Sequence, residues 1–309
     1  MTEKPLGKSG LSIRPFVLGG NVFGFTADRA ASFAILDRYV ELGGGMIDTA
    51  DVYSAWVPGH KGGESESVIG AWLKESGARN SVLIATKVGM MPGGLKPDRI
   101  RDAVQGSLDR LGVDVIDLYF AHKDDPDVPH DEVLGAFAEL IDAGTVRAIG
   151  ASNYSAERLG AALSVANEKR LPQFTVVQPE LNLLDRNQYE GALQNLCIEQ
   201  GLGVVTYFSI ASGYLSGKYR GVQDLGKSVR GDRVQPYMAG NGPAMLDVMD
   251  RIAAETGATL TQIALAWIAR QPGVTAPIAS ATTVDQLDEL LGSIDLALST
   301  DQLAALSAV

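Results

Sequence analysis

Short apolar runs rich in β-branched residues recur along the chain and alternate with amphipathic stretches. A short apolar run is typical of a strand buried on both faces, whereas apolar residues three or four positions apart indicate one face of a helix. Residues 28–42 follow the second pattern, with Asp28 at the position of an N-cap. The first pattern predicts eight strands, at 16–20, 46–50, 82–87, 115–120, 148–152, 174–178, 203–208 and 275–279.

At least one helical pattern follows each predicted strand. Helices are predicted at 28–42, 64–75, 97–111, 131–142, 155–167, 188–199, 243–256, 259–270 and 283–291, and a short segment, 300–307, closes the chain. The opening residues LGKSGLSIRP predict a tight β-hairpin that turns at Ser9-Gly10, and the Gly-rich polar residues 209–242 predict a long loop, which is typical of an active-site lid.

This alternation of strands and helices permits an open doubly wound sheet or a closed barrel. Eight even units without a break in composition favour the barrel. We therefore predict an α/β protein in which residues 1–309 form one domain, a single (β/α)8 TIM barrel with an N-terminal β-hairpin and a long loop after strand 7.

The charge and composition of the chain exclude several classes of protein. With 309 residues, 46% of them hydrophobic, the chain is long enough and apolar enough to bury a large core. Its formal charge of −11 argues against a nucleic-acid partner, and the sequence has no continuous apolar stretch of membrane-spanning length. A polar start without a signal core predicts a cytoplasmic protein, and one cysteine excludes an internal disulfide and a Cys-rich zinc site.

A barrel of this kind carries its chemistry at the C-terminal ends of the strands and in the loops just after them. Asp48 and Lys87 lie at the ends of two predicted strands, Tyr53 follows the first of these strands, and His122 lies two residues past the next. A carboxylate, a phenol, an amine and an imidazole at one mouth form an acid–base set.

Two other motifs resemble known sites, and we interpret neither as functional. Residues 221–228 match the P-loop pattern G-x-x-x-x-G-K-S, but they lack the flanking strand and helix that this phosphate site requires, so we interpret the match as chance. Residues 122–132, HKDDPDVPHDE, contain two His and several carboxylates; we interpret them as a solvated turn before a helix and predict no metal site.

The residues at the predicted mouth belong to six segments: DTADVY (48–53), ATK (85–87), LYFAH (118–122), GASN (150–153), VQ (177–178) and YFSIASGYLSGKY (207–219). In this order these segments resemble the aldo-keto reductase superfamily, and the resemblance extends from the opening hairpin to the last strand. It implies a carbonyl reductase that binds NADP(H) or NAD(H) across the barrel mouth, without a Rossmann domain. The sequence agrees, since no G-x-G-x-x-G follows the first strand.

The resemblance implies a catalytic tetrad of Asp48, Tyr53, Lys87 and His122. Tyr53 would protonate the carbonyl oxygen as hydride reaches the carbon, and a nearby Lys87 ammonium would lower the tyrosine pKa from its usual value of about 10. Asp48 would pair with Lys87, and His122 would orient the carbonyl and share the proton relay.

Cofactor contacts follow from the same resemblance. The nicotinamide carboxamide would be held by Ser152, Asn153 and Gln178, and Tyr207 would stack on the nicotinamide ring. Those along the pyrophosphate would be Ser209, Leu215, Gly217 and Lys218. Those around the adenosine would be Ser280, Thr283, Gln286 and Glu289.

One departure bears on the choice of nucleotide. NADPH-using relatives usually carry Lys or Arg in the last strand–helix turn, whereas residues 271–309 of this chain contain neither. A phosphate normally recruits a cation, so the local residues favour NADH or dual use. The loop cations able to compensate are Arg220, Lys227, Arg230 and Arg233.

The implied substrate is a small-molecule aldehyde, ketone or sugar-like carbonyl, with the reverse alcohol oxidation also possible. Its pocket would include Trp56, Lys123, Tyr214 and the loop 209–242. An alternative is a nicotinamide-binding regulatory subunit without significant turnover, since some relatives accompany ion channels. The sequence permits an oligomer.

Overall fold

The computed structural model describes residues 3–228 and 231–309. Eight parallel strands close into a barrel in which neighbours along the chain are neighbours in space and the last strand pairs with the first. These strands are β3 (Val17–Gly19), β4 (Met46–Asp48), β5 (Leu83–Val88), β6 (Ile116–Ala121), β7 (Val146–Ser152), β8 (Val176–Gln178), β9 (Gly203–Thr206) and β10 (Ala276–Ala279). The predicted (β/α)8 barrel is confirmed.

Helices follow the barrel strands along the chain. They are α1 (Arg29–Glu41), α2 (Glu64–Ser76), α3 (Pro97–Leu111), α4 (His130–Asp142), α5 (Ala156–Lys169), α6 (Ala192–Gln200), α7 (Gly231–Ala239), α8 (Gly242–Thr256), α9 (Leu260–Ile268), α10 (Val284–Leu291) and α11 (Thr300–Ser307). Several begin at side-chain caps that the sequence signals, such as Asp28, which accepts a hydrogen bond from the Ala31 N–H at 2.9 Å.

Both faces of the barrel strands are apolar, because one face points into the barrel and the other packs against helices. Ile47 packs outward in the cluster between strands and helices, whereas Met46 packs inward with the residues that fill the barrel. Successive side chains of a strand point to opposite faces, so Asp48 shares the inward face with Met46. This alternation brings polar side chains to the C-terminal mouth of an otherwise apolar barrel.

A β-hairpin covers the other end of the barrel. Its strands β1 (Lys4–Pro5) and β2 (Ser12–Ile13) pair antiparallel, as predicted. Leu6 is fully buried and packs in the same cluster as the barrel-filling residues. A Cβ on Gly7 would lie 2.0 Å from the backbone N of Gly203, at the start of β9, so only glycine fits this approach.

The segment 209–242 has more regular structure than the long loop predicted from its composition. It contains 3₁₀ segments at Ala211–Ser216 and Val222–Lys227 and the helix α7. The Tyr237 hydroxyl of α7 donates to Asp185 Oδ2 at 2.6 Å, and this contact ties the helix to the loop after β8. The interpretation of residues 1–309 as one domain stays a prediction.

Within the described residues, no helix combines the length and the apolar character needed to cross a bilayer.

Candidate active site

Asp48, Lys87 and His122 approach one another at the C-terminal mouth of the barrel because each continues the inward face of its strand. Lys87 is completely buried, and Asp48 and His122 are 2% and 7% exposed. Their strands β4, β5 and β6 are consecutive neighbours in the barrel. The structure therefore brings together three of the four residues predicted to act as a tetrad.

Tyr53 joins them from the loop after β4. Its hydroxyl lies 2.9 Å from Lys87 Nζ and 3.3 Å from Asp48 Oδ2. Lys87 Nζ also donates to Asp48 Oδ2 and to the Thr49 carbonyl, both at 2.7 Å. The ammonium thus has three oxygen partners, and the Tyr53 hydroxyl is held against it.

Burial and the Asp48 carboxylate control the acid–base state of this group. Burial lowers the pKa of Lys87, while Asp48 opposes that shift. Burial, followed by the Asp48 charge, raises the pKa of Tyr53 well above its usual range. The tyrosine pKa is not lowered as expected, because burial and the Asp48 charge outweigh any effect of the Lys87 ammonium. Tyr53 therefore retains its proton at neutral pH.

His122 lies beside the tyrosine, with ring centroids 6.0 Å apart in an edge arrangement. Burial, and then the charge of Lys87, lower the pKa of His122 well below its usual range, so the imidazole is neutral at neutral pH. Its buried Nδ1 has no hydrogen-bond partner among the described residues. A neutral imidazole can donate from one nitrogen and accept at the other.

The predicted carboxamide contacts form a connected network next to this group. Gln178 Nε2 donates to Asp48 Oδ1 at 2.8 Å, and Ser152 Oγ donates to the Gln178 carbonyl at 2.8 Å. Asn153 Nδ2 donates to the His122 carbonyl at 2.8 Å, and Tyr207 donates to Asn153 Oδ1 at 2.7 Å. These side chains are thus held at fixed positions around the mouth.

A cavity of about 400 Å³ lies at the mouth of the barrel, and Tyr53 is among the residues that line it. Eight of the predicted site residues, other than Tyr53, line it: Asp48, His122, Ser152, Asn153, Gln178, Tyr207, Ser209 and Ser280. Lys87 lies beneath the lining, and Trp56 is half-exposed at the rim. The cavity therefore gives a bound molecule access to the phenol and the imidazole at once.

A second cavity of about 500 Å³ adjoins the first, since Ile210, Ser212 and Ser280 line both. Its lining includes four of the predicted contacts to the pyrophosphate and adenosine, Lys218, Ser280, Gln286 and Glu289. Together the two cavities form an elongated space from the barrel centre to the start of α10.

Besides Lys87, five predicted site residues lie outside these linings. Leu215 and Tyr214 are buried in the core, and Lys123 is exposed. Gly217 adopts a left-handed conformation with φ of 76° at the end of a 3₁₀ segment, and Thr283 Oγ1 caps α10 by accepting from the Gln286 N–H at 3.2 Å. Their contacts to a cofactor, or to the substrate for Tyr214 and Lys123, stay predictions.

The cavity lining also includes residues that sequence reasoning missed. Asn21, Phe25, Met90 and Phe208 line the first cavity, as does Arg233, which the sequence suggested only as a cation for the 2′-phosphate. They lie on loops or on α7, where no strand periodicity indicates their direction. Phe208 has a φ of 52°, a left-handed conformation that non-glycine residues rarely adopt and that clusters at ligand sites.

The alternative motifs do not form their sites. Residues 222–227 are a 3₁₀ segment, and Lys227 donates to the Lys218 carbonyl and pairs with Asp224. In the segment 122–132, His122 lines the first cavity while the His130 ring lies against Tyr154. The described part of the chain holds no group of three or more His, Cys, Asp or Glu suited to a metal ion.

Comparisons with known proteins point in the same direction as this geometry. The model of the aldo/keto reductase family matches residues 15–309. The chain is 34% identical over 257 residues to "Aldo-keto reductase str7" of Strobilurus tenacellus, which covers 81% of this chain and 75% of the relative. It is 32% identical to "Uncharacterized oxidoreductase YrpG" of Bacillus subtilis (strain 168), over 98% of this chain and 94% of the relative.

Another relative is named as a channel subunit and not as an oxidoreductase. The chain is 32% identical to "Probable voltage-gated potassium channel subunit beta" of Oryza sativa subsp. japonica, over 96% of this chain and 92% of the relative. The similarity therefore extends over nearly the whole chain for one protein named as an oxidoreductase and for one named as a channel subunit.

Proposed function

We propose, because this chain belongs to the aldo/keto reductase family of NAD(P)H-dependent oxidoreductases, that it transfers hydride between NAD(P)H and an aldehyde or ketone. The observation that carries the proposal is the Tyr53 hydroxyl, which contacts Lys87 Nζ at 2.9 Å on the floor of the first cavity. The reverse reaction, alcohol oxidation, uses the same groups.

The residues around the two cavities fit a nicotinamide dinucleotide. Gln178 uses its Nε2 on Asp48, so its Oε1 is an acceptor for a carboxamide N–H. Asn153 and Ser152 add an amide and a hydroxyl, and the Tyr207 ring supplies an aromatic face at the same cavity. When bound, the nicotinamide supplies the hydride.

In this proposal Tyr53 is the general acid. A phenol whose pKa burial raises keeps its proton until a strongly basic oxygen forms beside it, as at a carbonyl that is being reduced. Lys87 then stabilises the phenolate through its existing hydrogen bond, and Asp48 holds Lys87 in place. His122, neutral and beside Tyr53, orients the carbonyl oxygen.

The lining of the first cavity bears on the substrate. Phe25 and Trp56 meet edge to face at 6.1 Å, and Phe208 and Met90 add apolar surface at the rim. Such a rim accommodates an apolar carbonyl compound by burying its surface. The polar residues of the same cavity also fit the hydroxyl groups of a sugar-like carbonyl.

The second cavity bears on the choice between NADH and NADPH. Lys218 is the one cation in its described lining, where Glu289 contributes a carboxylate. Of the loop cations, Arg220 forms two hydrogen bonds of 2.8 Å to Asp250, Lys227 pairs with Asp224, Arg233 lines the first cavity, and Arg230 lies outside the described residues. This distribution supports NADH or dual use.

The Tyr53→Phe variant tests the proposed function. It removes only the hydroxyl, so we expect kcat to fall by a factor of about 100 or more while the Kd for reduced nicotinamide stays nearly unchanged. The measurements are the loss of nicotinamide absorbance with an aldehyde substrate and the quenching of protein fluorescence on cofactor binding. An unchanged kcat in this variant would contradict the assignment of Tyr53.

The similarity to a protein named as a channel subunit supports a second candidate, a nicotinamide-binding regulatory subunit without significant turnover. The same two measurements separate the candidates. A wild-type chain that binds nicotinamide but turns over no aldehyde or ketone would favour the regulatory role.

A further inference from the structure

We propose that Asp51 and Arg99 form a buried ion pair that positions the Tyr53 hydroxyl against Lys87. Both are positioning residues, since neither reaches the reacting atoms. The catalytic consequence rests on the proposed function, whereas the positioning itself rests on contacts within the protein.

Asp51 lies in the turn after β4, two residues before Tyr53, and is 4% exposed. Its Oδ2 accepts a hydrogen bond from Arg99 Nη2 at 2.7 Å. Its Oδ1 is buried and has no hydrogen-bond partner among the described residues. An apolar residue would occupy such a position at lower cost in folding free energy, which points to a role other than stability.

Arg99 lies in the first turn of α3, directly after the loop 89–96. That loop packs on its side chain, because a Cβ on Gly93 would lie 3.2 Å from Arg99 Cγ. The same loop carries Met90 into the first cavity. The ion pair therefore joins the loop that holds Tyr53 to the start of α3, next to the neighbouring loop of the cavity rim.

Other hydrogen bonds of the turn reach β5 and α2. The Thr49 and Asp51 N–H groups donate to the carbonyls of Ala85 and Lys87 on β5, at 2.8 and 3.2 Å. Thr49 Oγ1 lies 2.8 Å from Ser65 Oγ on α2. The Asp51 side chain adds a contact to α3, which none of these bonds reaches.

Several charged or titratable groups surround the Asp51 carboxyl. Arg99 and Arg110 belong to α3, Glu66 to α2, Lys87 to β5 and Tyr119 to β6. Burial, opposed by Arg99, raises the pKa of Asp51 to about 6. The ion pair is therefore complete at neutral pH and weakens as the pH falls through about 6.

Stability and positioning depend on pH in opposite directions at this residue. The folded-state pKa of about 6 exceeds the ordinary value of 3.8, so protonated Asp51 contributes stability below pH 3.8 that is lost as the pH rises through about 6. The ionised form that pairs with Arg99 is thus the form that stabilises the fold less. This combination is expected of a functional charge.

The experiment compares Asp51→Asn, Arg99→Gln and the double variant with a structural control, Asp117→Asn. Asp117 is also buried, at 2% exposure, and accepts hydrogen bonds of 2.8 Å from Arg79 and Arg147. It lies at the start of β6, away from the mouth. Its loss therefore tests the general effect of removing a buried carboxylate.

The first measurement is the NMR signal of the Tyr53 ring in protein with isotope-labelled tyrosine, assigned by its absence in Tyr53→Phe. We expect this signal to shift in Asp51→Asn and in Arg99→Gln, and to stay in place in Asp117→Asn. In the wild type it should move with a midpoint near pH 6, and this transition should be absent from Asp51→Asn.

The second measurement is kcat, which we expect each single variant to lower about tenfold at neutral pH with little change in the substrate KM. The double variant should lose no more than either single variant, since both remove the same pair. If the Asp51 and Arg99 variants fold and leave the Tyr53 signal and kcat unchanged, the proposal is overturned. If the wild type reduces no carbonyl, the proposed function fails while the Tyr53 signal still decides the positioning.

Discussion

At the scale of single residues, Lys87 shows how one buried charge organises a site. Its ammonium is completely buried and has three oxygen partners, Asp48 Oδ2, the Thr49 carbonyl and the Tyr53 hydroxyl. A buried cation requires such partners, because an unpaired one would be strongly destabilising. The same requirement holds Tyr53 in place, so the solvation of Lys87 and the position of the phenol have one cause.

Glu289 allows a direct test of nucleotide choice at a single residue. It lines the second cavity, where in the proposed binding mode the 2′-phosphate of NADPH would lie and a carboxylate would repel it. We expect Glu289→Lys to lower the Kd for NADPH about tenfold and to change the Kd for NADH less, since a charge-assisted hydrogen bond contributes about 1.5–3 kcal/mol. The measurement is a fluorescence titration with each nucleotide.

Asp285→Lys is the matched control for that substitution. It makes the same change of charge on the same helix, α10, at a position outside the cavity lining. An equal gain in NADPH affinity from both variants would attribute the effect to overall charge and contradict a local role for Glu289.

At the scale of elements, the N-terminal hairpin separates stability from activity. Leu6 is fully buried among the barrel-filling residues at the end opposite the cavities. We expect Leu6→Ala to lower the free energy of unfolding by about 2–5 kcal/mol, through lost burial and the cavity left behind. Urea denaturation measures this change, and the Kd for reduced nicotinamide should stay the same.

Lys4→Ala provides the comparison for the hairpin, since Lys4 is exposed in β1. It should leave both stability and cofactor affinity nearly unchanged. A Leu6→Ala protein of wild-type stability would show that the hairpin is dispensable for the barrel.

The elements also show how far the sequence determines this fold. The eight strands were predictable because each is a short apolar run, buried on both sides and bounded by polar turns. Helix α7 was not predictable, because Gly231, Pro236 and Gly240 favour a loop and its position depends on tertiary contacts such as Tyr237 with Asp185. Helix α6 begins at Ala192 rather than near residue 188 because Gly191, with a φ of 89°, precedes it.

The candidate site likewise contains some residues that the sequence predicts and others that only the structure reveals. Asp48, Lys87 and His122 follow from strand periodicity and the barrel rule, since each continues an inward face. The Asp51–Arg99 pair joins two residues 48 positions apart, one in a turn and one in α3, and Arg233 lines the first cavity from α7. Neither contact leaves a periodic signal, so only the three-dimensional structure reveals it.

At the scale of the whole molecule, net charge and the local residues act together on cofactor choice. The chain carries a formal charge of −11, and the 2′-phosphate of NADPH adds up to about two further negative charges to the ligand. Lys218 beside the second cavity and Arg233 beside the first are the described lining cations that oppose this repulsion. We therefore expect the molecule as a whole to favour NADH or to accept both nucleotides.

Thermal unfolding with added nucleotides tests this expectation on the intact protein. A ligand that binds only the folded state stabilises it by about 2.7 kcal/mol at a concentration of 100 Kd, which raises the Tm by several degrees. At equal concentrations we expect NADH to raise the Tm at least as much as NADPH, and ATP to leave it unchanged because residues 222–227 form a 3₁₀ segment.

A larger shift with NADPH would mean that a cation beyond Lys218 reaches the 2′-phosphate. No shift with either nicotinamide would contradict the assignment of the cavities to a cofactor, and a shift with ATP would reopen the interpretation of residues 221–228.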